Sequence, residues 1–81
     1  MDSWKYLKLT PIGLHVSWSD GYFSATAAYL GEAGFGKTLA EAINGAGEMV
    51  CRLFGAPVQI ARELNLSAEL DRSAIIRVQA G

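Results

Sequence analysis

The chain has 81 residues, of which 51% are hydrophobic and 19% charged, and its formal net charge is −1. This length predicts one small domain over residues 1–81. The composition excludes an intrinsically disordered chain, which would be rich in charge and poor in aromatic residues. The 7 basic and 8 acidic residues argue against a general electrostatic grip on nucleic acid.

The single cysteine, Cys51, excludes an internal disulfide and is typical of a reducing compartment. No run approaches the roughly 20 apolar residues of a membrane span, and the N-terminus lacks the pattern of a secretory signal. We therefore predict a complete cytoplasmic chain without a membrane partner. We also predict no metal or other cofactor, because no His and Cys residues have zinc-ligand spacing.

In chain order, the first predicted strand covers Trp4–Thr10, and Pro11 and Gly13 then bend the chain into a hairpin. Asp20-Gly21 between two alternating segments is a strong hairpin signal. A two-residue turn fixes the register and puts one apolar and one polar face on the hairpin. The predicted pairs are Ser19–Tyr22, Trp18–Phe23, Ser17–Ser24, Val16–Ala25, His15–Thr26, Leu14–Ala27 and Ile12–Tyr29.

The loop Gly31–Thr38 matches the phosphate-loop pattern G-x-x-x-x-G-K-[ST] at every fixed position. Phosphate or nucleotide binding there is one hypothesis. The competing interpretation is a glycine-rich loop that ends in a helix cap, with Thr38 and Glu41 as a capping box. Phe35 within this loop is either a binding residue or folds back against the following helix, near Ala42.

The main helix is predicted from Thr38 to about Phe54, and Gly55 ends it. Two glycines lie within it, Gly45 and Gly47, and we expect them to allow close packing on the sheet or close approach of a partner's backbone. Cys51 flanks the apolar stripe and is expected to be buried. The stripe that should cover the hairpin consists of Leu39, Ala42, Ile43, Ala46, Met49, Val50 and Leu53.

Residues 57–77 permit two interpretations. Gln59–Ser67 resembles the middle of a helix-turn-helix, with Asn65 in the turn and Arg72 and Arg77 available to DNA. The alternative is a short connecting helix followed by a C-terminal strand over Ala74–Gln79, where β-branched residues are frequent. The sequence leaves open whether residues 67–79 form helix or strand.

These elements predict an α+β fold. An antiparallel meander of about three N-terminal strands carries the main helix on one face, followed by a short second helix and a C-terminal strand. No set of residues forms a catalytic constellation, so we predict a non-enzyme. We expect a protein partner to contact Glu32, Phe35 and Lys37 of the loop, together with Tyr22 and His15 of the hairpin.

The order strand, strand, strand, helix, strand, with Lys37–Ala42 opening the helix, resembles HicB-type antitoxin domains. In size and style the chain is also similar to small phage-encoded inhibitors, including anti-CRISPR proteins. These resemblances imply a protein-binding inhibitor or adaptor whose target is a toxin or a bacterial defence complex. A homodimer through an exposed strand edge or through the Trp4 and Tyr6 face is a further expectation. A DNA-binding regulator is the competing class.

Overall fold

The fold is α+β, and a computed structural model describes residues 4–80. A four-stranded mixed sheet carries one main helix on one face. The helices are α1 (Trp4–Leu9), α2 (Leu39–Leu53) and α3 (Arg72–Ala80), with a 3₁₀ helix at Val58–Glu63. The strands are β1 (Ile12–Ser19), β2 (Tyr22–Thr26), β3 (Gly34–Gly36) and β4 (Leu66–Leu70).

The β1–β2 hairpin has the predicted register over five pairs, from Ser19 opposite Tyr22 to His15 opposite Thr26. Its turn residues Asp20 and Gly21 have φ of 54° and 88°, as a type I′ turn requires. The predicted register was wrong beyond Thr26, because β2 ends there. Tyr29 therefore lies in a turn and not opposite Ile12.

The sheet order is β3-β2-β1-β4, with β1, β2 and β3 forming the predicted antiparallel meander. Its strands are not those expected, because the strand predicted over Trp4–Thr10 is wrong and Trp4–Leu9 is helix α1. The place beside β1 is taken by β4, which pairs with it in parallel from Ile12–Leu66 to Val16–Leu70. Thr10 ends α1 by donating its hydroxyl to the carbonyl of Tyr6 at 2.7 Å.

The strand predicted over Ala74–Gln79 is also wrong, because these residues belong to helix α3. Asp71 precedes this helix, and its Oδ1 accepts the Ala74 N–H at 3.0 Å and the Ser73 hydroxyl at 2.6 Å. This side-chain cap begins a helix despite the strand preference of Ile75 and Ile76. The C-terminal strand of the sheet is instead Leu66–Leu70.

Helix α2 begins at Leu39, directly after the predicted cap residue Thr38. Thr38 has an extended conformation and accepts the Glu41 N–H at 3.2 Å, while its hydroxyl donates to the Glu41 carboxylate at 3.0 Å. The predicted apolar stripe is correct at its centre, where Ala42, Ala46 and Val50 are fully buried. Cys51 is buried as expected. The stripe therefore covers the apolar face of the hairpin, which contributes Leu14, Val16, Phe23 and Ala25 to the same core.

The glycines of β3 bring the backbone of the sheet against the backbone of α2. A Cβ added to Gly34 would lie 2.2 Å from the Ala46 nitrogen, and one on Gly36 would lie 2.7 Å from the Ala42 nitrogen. From the helix side, a Cβ on Gly45 would lie 3.3 Å from the Gly34 Cα. Close intrachain packing thus accounts for Gly45. It also accounts for Gly47, where a Cβ would meet the Ala61 oxygen at 3.3 Å.

Candidate interaction surface

Three of the five residues predicted to contact a partner share the face of the sheet opposite α2. His15, Tyr22 and Phe35 have the strand alternation of Ser17 and Ser24, whose hydroxyls hydrogen-bond at 2.8 Å. Phe35 is 66% exposed, so it does not fold back against α2, which was one of its two interpretations. We call this face the open sheet face.

A polar groove of about 260 Å³ crosses the open sheet face. His15 lies beside Glu69 of β4 in the sheet register. Within the described residues, no side-chain hydrogen bond joins His15 to an acid or a nucleophile, an arrangement that general-base chemistry needs. The groove is lined by His15, Ser17, Ser24, Thr26, Glu69 and Asp71 among others.

The remaining two predicted residues do not complete this site. Glu32 lines a different groove beside Tyr29, and Lys37 is an exposed residue of the turn before α2. The structure therefore divides the predicted set between two surfaces. Which of the five residues contact a partner stays a prediction.

The phosphate-loop arrangement at Gly31–Thr38 is not formed. Gly34–Gly36 is strand β3, and its residues pair with β2 from Phe23–Gly36 to Ala25–Gly34. In a phosphate loop, the same backbone N–H groups would have to wrap an anion ahead of the helix. The glycine spacing instead permits the close contact between β3 and α2.

The helix-turn-helix, which was one of the two interpretations of residues 57–77, is not formed. The segment expected to enter the second helix is strand β4, whose pairing with β1 fixes it in the sheet. Arg72 and Arg77 both lie on α3, but five residues apart, which places them on different sides of a helix. The Arg77 guanidinium also lies 4.5 Å from the centre of the Trp18 ring. The two arginines therefore do not form a shared basic patch.

A second surface, which was not predicted from the sequence, is formed where α2 ends. The exposed fractions are 52% for Tyr29, 54% for Leu53, 57% for Phe54 and 75% for Tyr6. The rings of Tyr29 and Phe54 contact each other edge to face, with centroids 6.4 Å apart. We call these four residues and the half-buried Trp4 the aromatic surface.

The end of α2 explains why Leu53 and Phe54 project from the molecule. Gly55 has φ of 69°, its N–H bonds to the Arg52 carbonyl, and the Ala56 N–H bonds to the Cys51 carbonyl at 2.8 Å. This is the Schellman arrangement. It turns the chain back into the core at Ala56 and leaves the two preceding side chains outside.

Two grooves flank this point. One, of about 370 Å³, lies between the Tyr29 turn and the last turns of α2, and Met49 and Leu53 form its apolar part. Glu32 and Arg52 supply its charges. The other, of about 350 Å³, lies between α1 and Phe54 and is lined by Trp4, Tyr6, Leu7 and Thr10. Each groove thus offers apolar lining beside an exposed aromatic ring.

Cys51 lies in the same part of α2 but is inaccessible. Burial raises the pKa of its thiol, the Glu48 carboxylate raises it further, and the Arg52 guanidinium opposes both. A thiol with a raised pKa is a poor nucleophile. Cys51 is therefore a packing residue in the core beneath this surface.

No family model, curated protein or solved structure matches this chain. Among residues 4–80, no helix has the length and apolar character to cross a membrane. The same residues contain no group of three or more His, Cys, Asp or Glu side chains placed to bind a metal ion.

Proposed function

We propose that this protein is a non-catalytic protein-binding module, an inhibitor or adaptor, and that its partner binds the aromatic surface. The observation that carries this proposal is the clustering of Tyr6, Tyr29, Leu53 and Phe54, each more than half exposed, around two apolar grooves. Tyrosine and other aromatic residues are enriched at protein interfaces and dominate their binding energy.

The energetics of burial favour the aromatic surface over the open sheet face. Complete burial of one large apolar side chain contributes about 1.5–3 kcal/mol before the costs of association. The aromatic surface offers several such side chains, of which Tyr29 and Phe54 contact each other edge to face. The open sheet face offers two exposed rings, those of Tyr22 and Phe35, beside a groove of hydroxyl, imidazole and carboxylate groups. These polar groups exchange hydrogen bonds with water for hydrogen bonds with a partner at little net gain.

The two grooves indicate the chemistry of the partner. A segment that places one bulky apolar side chain on either side of Phe54 would occupy both. Glu32 and Arg52 at the first groove would pair with a basic and an acidic group at the rim, where charges mainly govern specificity and association rate. A toxin or a subunit of a bacterial defence complex is the partner class that the family resemblances suggest. We include a cytoplasmic location in the proposal because the only cysteine is a buried free thiol.

The test is affinity capture from a nuclease-treated bacterial lysate with a matched pair of variants, Phe54→Ala and Phe35→Ala. Both remove an exposed phenylalanine, but from different surfaces. We expect wild type and Phe35→Ala to capture the same discrete protein and Phe54→Ala to lose it. Capture that depends on Phe35 and not on Phe54 would contradict the proposed surface. Capture from an untreated lysate that is lost after nuclease treatment would favour a DNA-binding regulator.

A further inference from the structure

We propose that the free edge of β4 pairs with β4 of a second copy, in antiparallel orientation, to form a continuous eight-stranded sheet. Among residues 4–80, β4 is an edge strand, because the sheet order places β1 on one side of it and no strand on the other. An edge strand presents unpaired N–H and C=O groups to any other strand. Within the described residues, β4 contains neither Pro nor Lys to block such pairing.

The hydrogen bonds to β1 establish which backbone groups of β4 are free. The Ile12 N–H donates to the Asn65 carbonyl, and the Asp71 N–H donates to the Val16 carbonyl. Because backbone groups alternate sides along a strand, residues 65, 67, 69 and 71 face β1. The N–H and C=O groups of Leu66, Ala68 and Leu70 therefore point away from the sheet.

These outward groups are self-complementary about a two-fold axis at Ala68. An antiparallel pair centred there joins Ala68 to Ala68 of the second copy through two reciprocal hydrogen bonds. Each Leu70 N–H then reaches the Leu66 carbonyl of the other copy. The Leu66 N–H is not needed, because it already bonds to the Leu64 carbonyl at 3.0 Å.

The side chains agree with the same register. Leu66 would lie opposite Leu70 of the second copy on the helix side, so the half-buried leucines cover each other. Glu69 would lie opposite Ser67 of the second copy on the open side, where the hydroxyl can donate to the carboxylate. No like charges face each other, a condition that stable cross-strand pairs need.

The surface beside the edge is also suited to burial. A groove of about 380 Å³ lies between the first half of α2, the 3₁₀ helix and the start of β4, with Ala40, Ile43, Leu64 and Leu66 in its lining. The chain exposes 5375 Å² in total, whereas a monomer of 8.7 kDa is expected to expose about 4,700 Å². The excess, about 700 Å², is somewhat below the roughly 800 Å² that each partner buries in a standard interface and fits a small one.

The test is light scattering coupled to size exclusion, with sedimentation equilibrium for the dissociation constant. Wild type should show twice the 8.7 kDa chain mass. Ala68→Pro removes an outward N–H without removing a bond to β1, so it should raise the dissociation constant at least about tenfold while the circular dichroism spectrum stays unchanged.

Charged substitutions at Ser67 test the same pairing if the Ala68→Pro variant fails to fold. Ser67→Glu places like charges opposite each other twice and should weaken the dimer at least about tenfold, whereas Ser67→Lys should strengthen it. Ser19→Glu adds the same charge on the open sheet face away from β4 and should change nothing. A wild-type monomer at every concentration, or a dimer indifferent to the Ser67 variants, would overturn the proposal. So would a β4 edge that pairs only with a different protein.

This inference does not depend on the proposed function. Phe54→Ala should leave the dimer intact while it abolishes partner capture. Ser67→Glu should have the reverse pattern, so either conclusion can fail without the other.

Discussion

The two sides of the sheet meet very different surroundings. On the helix side, backbone packs on backbone where β3 meets α2, and the buried side chains form one apolar core. On the open side, hydroxyl and carboxylate residues line a polar groove with His15, and the rings of Tyr22 and Phe35 are exposed. The comparison teaches that the core lies on the helix side of the sheet, and that the apolar side chains at the end of α2 continue it into the aromatic surface, where we propose that a partner binds.

The largest expected difference is between two glycines that face opposite sides. Gly34→Ala would place a Cβ within 2.2–2.6 Å of the backbone of α2, and we expect it to destabilise the fold by more than about 3 kcal/mol. Gly13→Ala meets no atom within 4 Å and should stabilise β1 by about 0.5–1 kcal/mol. Urea unfolding measures both changes. Equal midpoints would contradict the close packing of β3 on α2.

The next difference separates two neighbours on β1. Leu14 is 1% exposed in the core, and Leu14→Ala should lower the free energy of unfolding by about 3 kcal/mol. His15→Ala, on the open sheet face, should change it by less than about 0.5 kcal/mol. Thermal or urea unfolding gives the comparison. A larger loss of unfolding free energy for His15→Ala than for Leu14→Ala would show that the open sheet face contributes more to stability than the core.

A smaller, pH-dependent effect is expected at the end of β4. The Ser73 hydroxyl, and after it the Ala74 N–H, hold the pKa of Asp71 below its ordinary value. The contribution of this cap is therefore fully present above the ordinary carboxyl pKa and is lost as pH falls through the lowered value in the folded state. Asp71→Asn keeps a capping side chain but cannot titrate.

Unfolding free energies of wild type and Asp71→Asn, measured from neutral to acidic pH, check this. The wild-type advantage should shrink as the pH falls. A difference that stays constant across the range would indicate that the Asp71 charge does not matter.

The smallest expected effect is a difference in the labelling rate of Cys51 between the native and the unfolded chain. Burial raises the pKa of the Cys51 thiol, so a thiol reagent should label the native protein far more slowly than the urea-unfolded chain. With an aromatic disulfide as the reagent, the absorbance of the thiolate that the reagent releases measures the rate. Equal rates in the two states would place Cys51 on the surface.

Elements that depend on neighbouring residues were predictable from the sequence. The Asp20-Gly21 turn determined the hairpin register, and Thr38 with Glu41 determined where α2 begins. The C-terminal third was not predictable in this way. β4 pairs in parallel with β1, which lies more than fifty residues earlier in the chain. The Asp71 cap begins helix α3 in a segment whose β-branched residues favour a strand.

The aromatic surface was missed for a related reason. It combines α1, the Tyr29 turn and the end of α2, which are distant in sequence. Tyr29 was assigned to the sheet and Leu53 to the buried stripe. The expectation for the Trp4 and Tyr6 face is a homodimer contact only. The Leu53-Phe54 pair just before the helix-ending Gly55 was the available signal, because residues at a helix end often escape the core.

Site-specific photo-crosslinking in bacterial cells tests the central claim most directly. p-Benzoylphenylalanine at position 54 reports on the aromatic surface, and the same residue at position 35 reports on the open sheet face. We predict a discrete crosslinked protein from position 54 and none from position 35. A crosslink from position 35 alone, or from neither position, would contradict the assignment of partner binding to the aromatic surface.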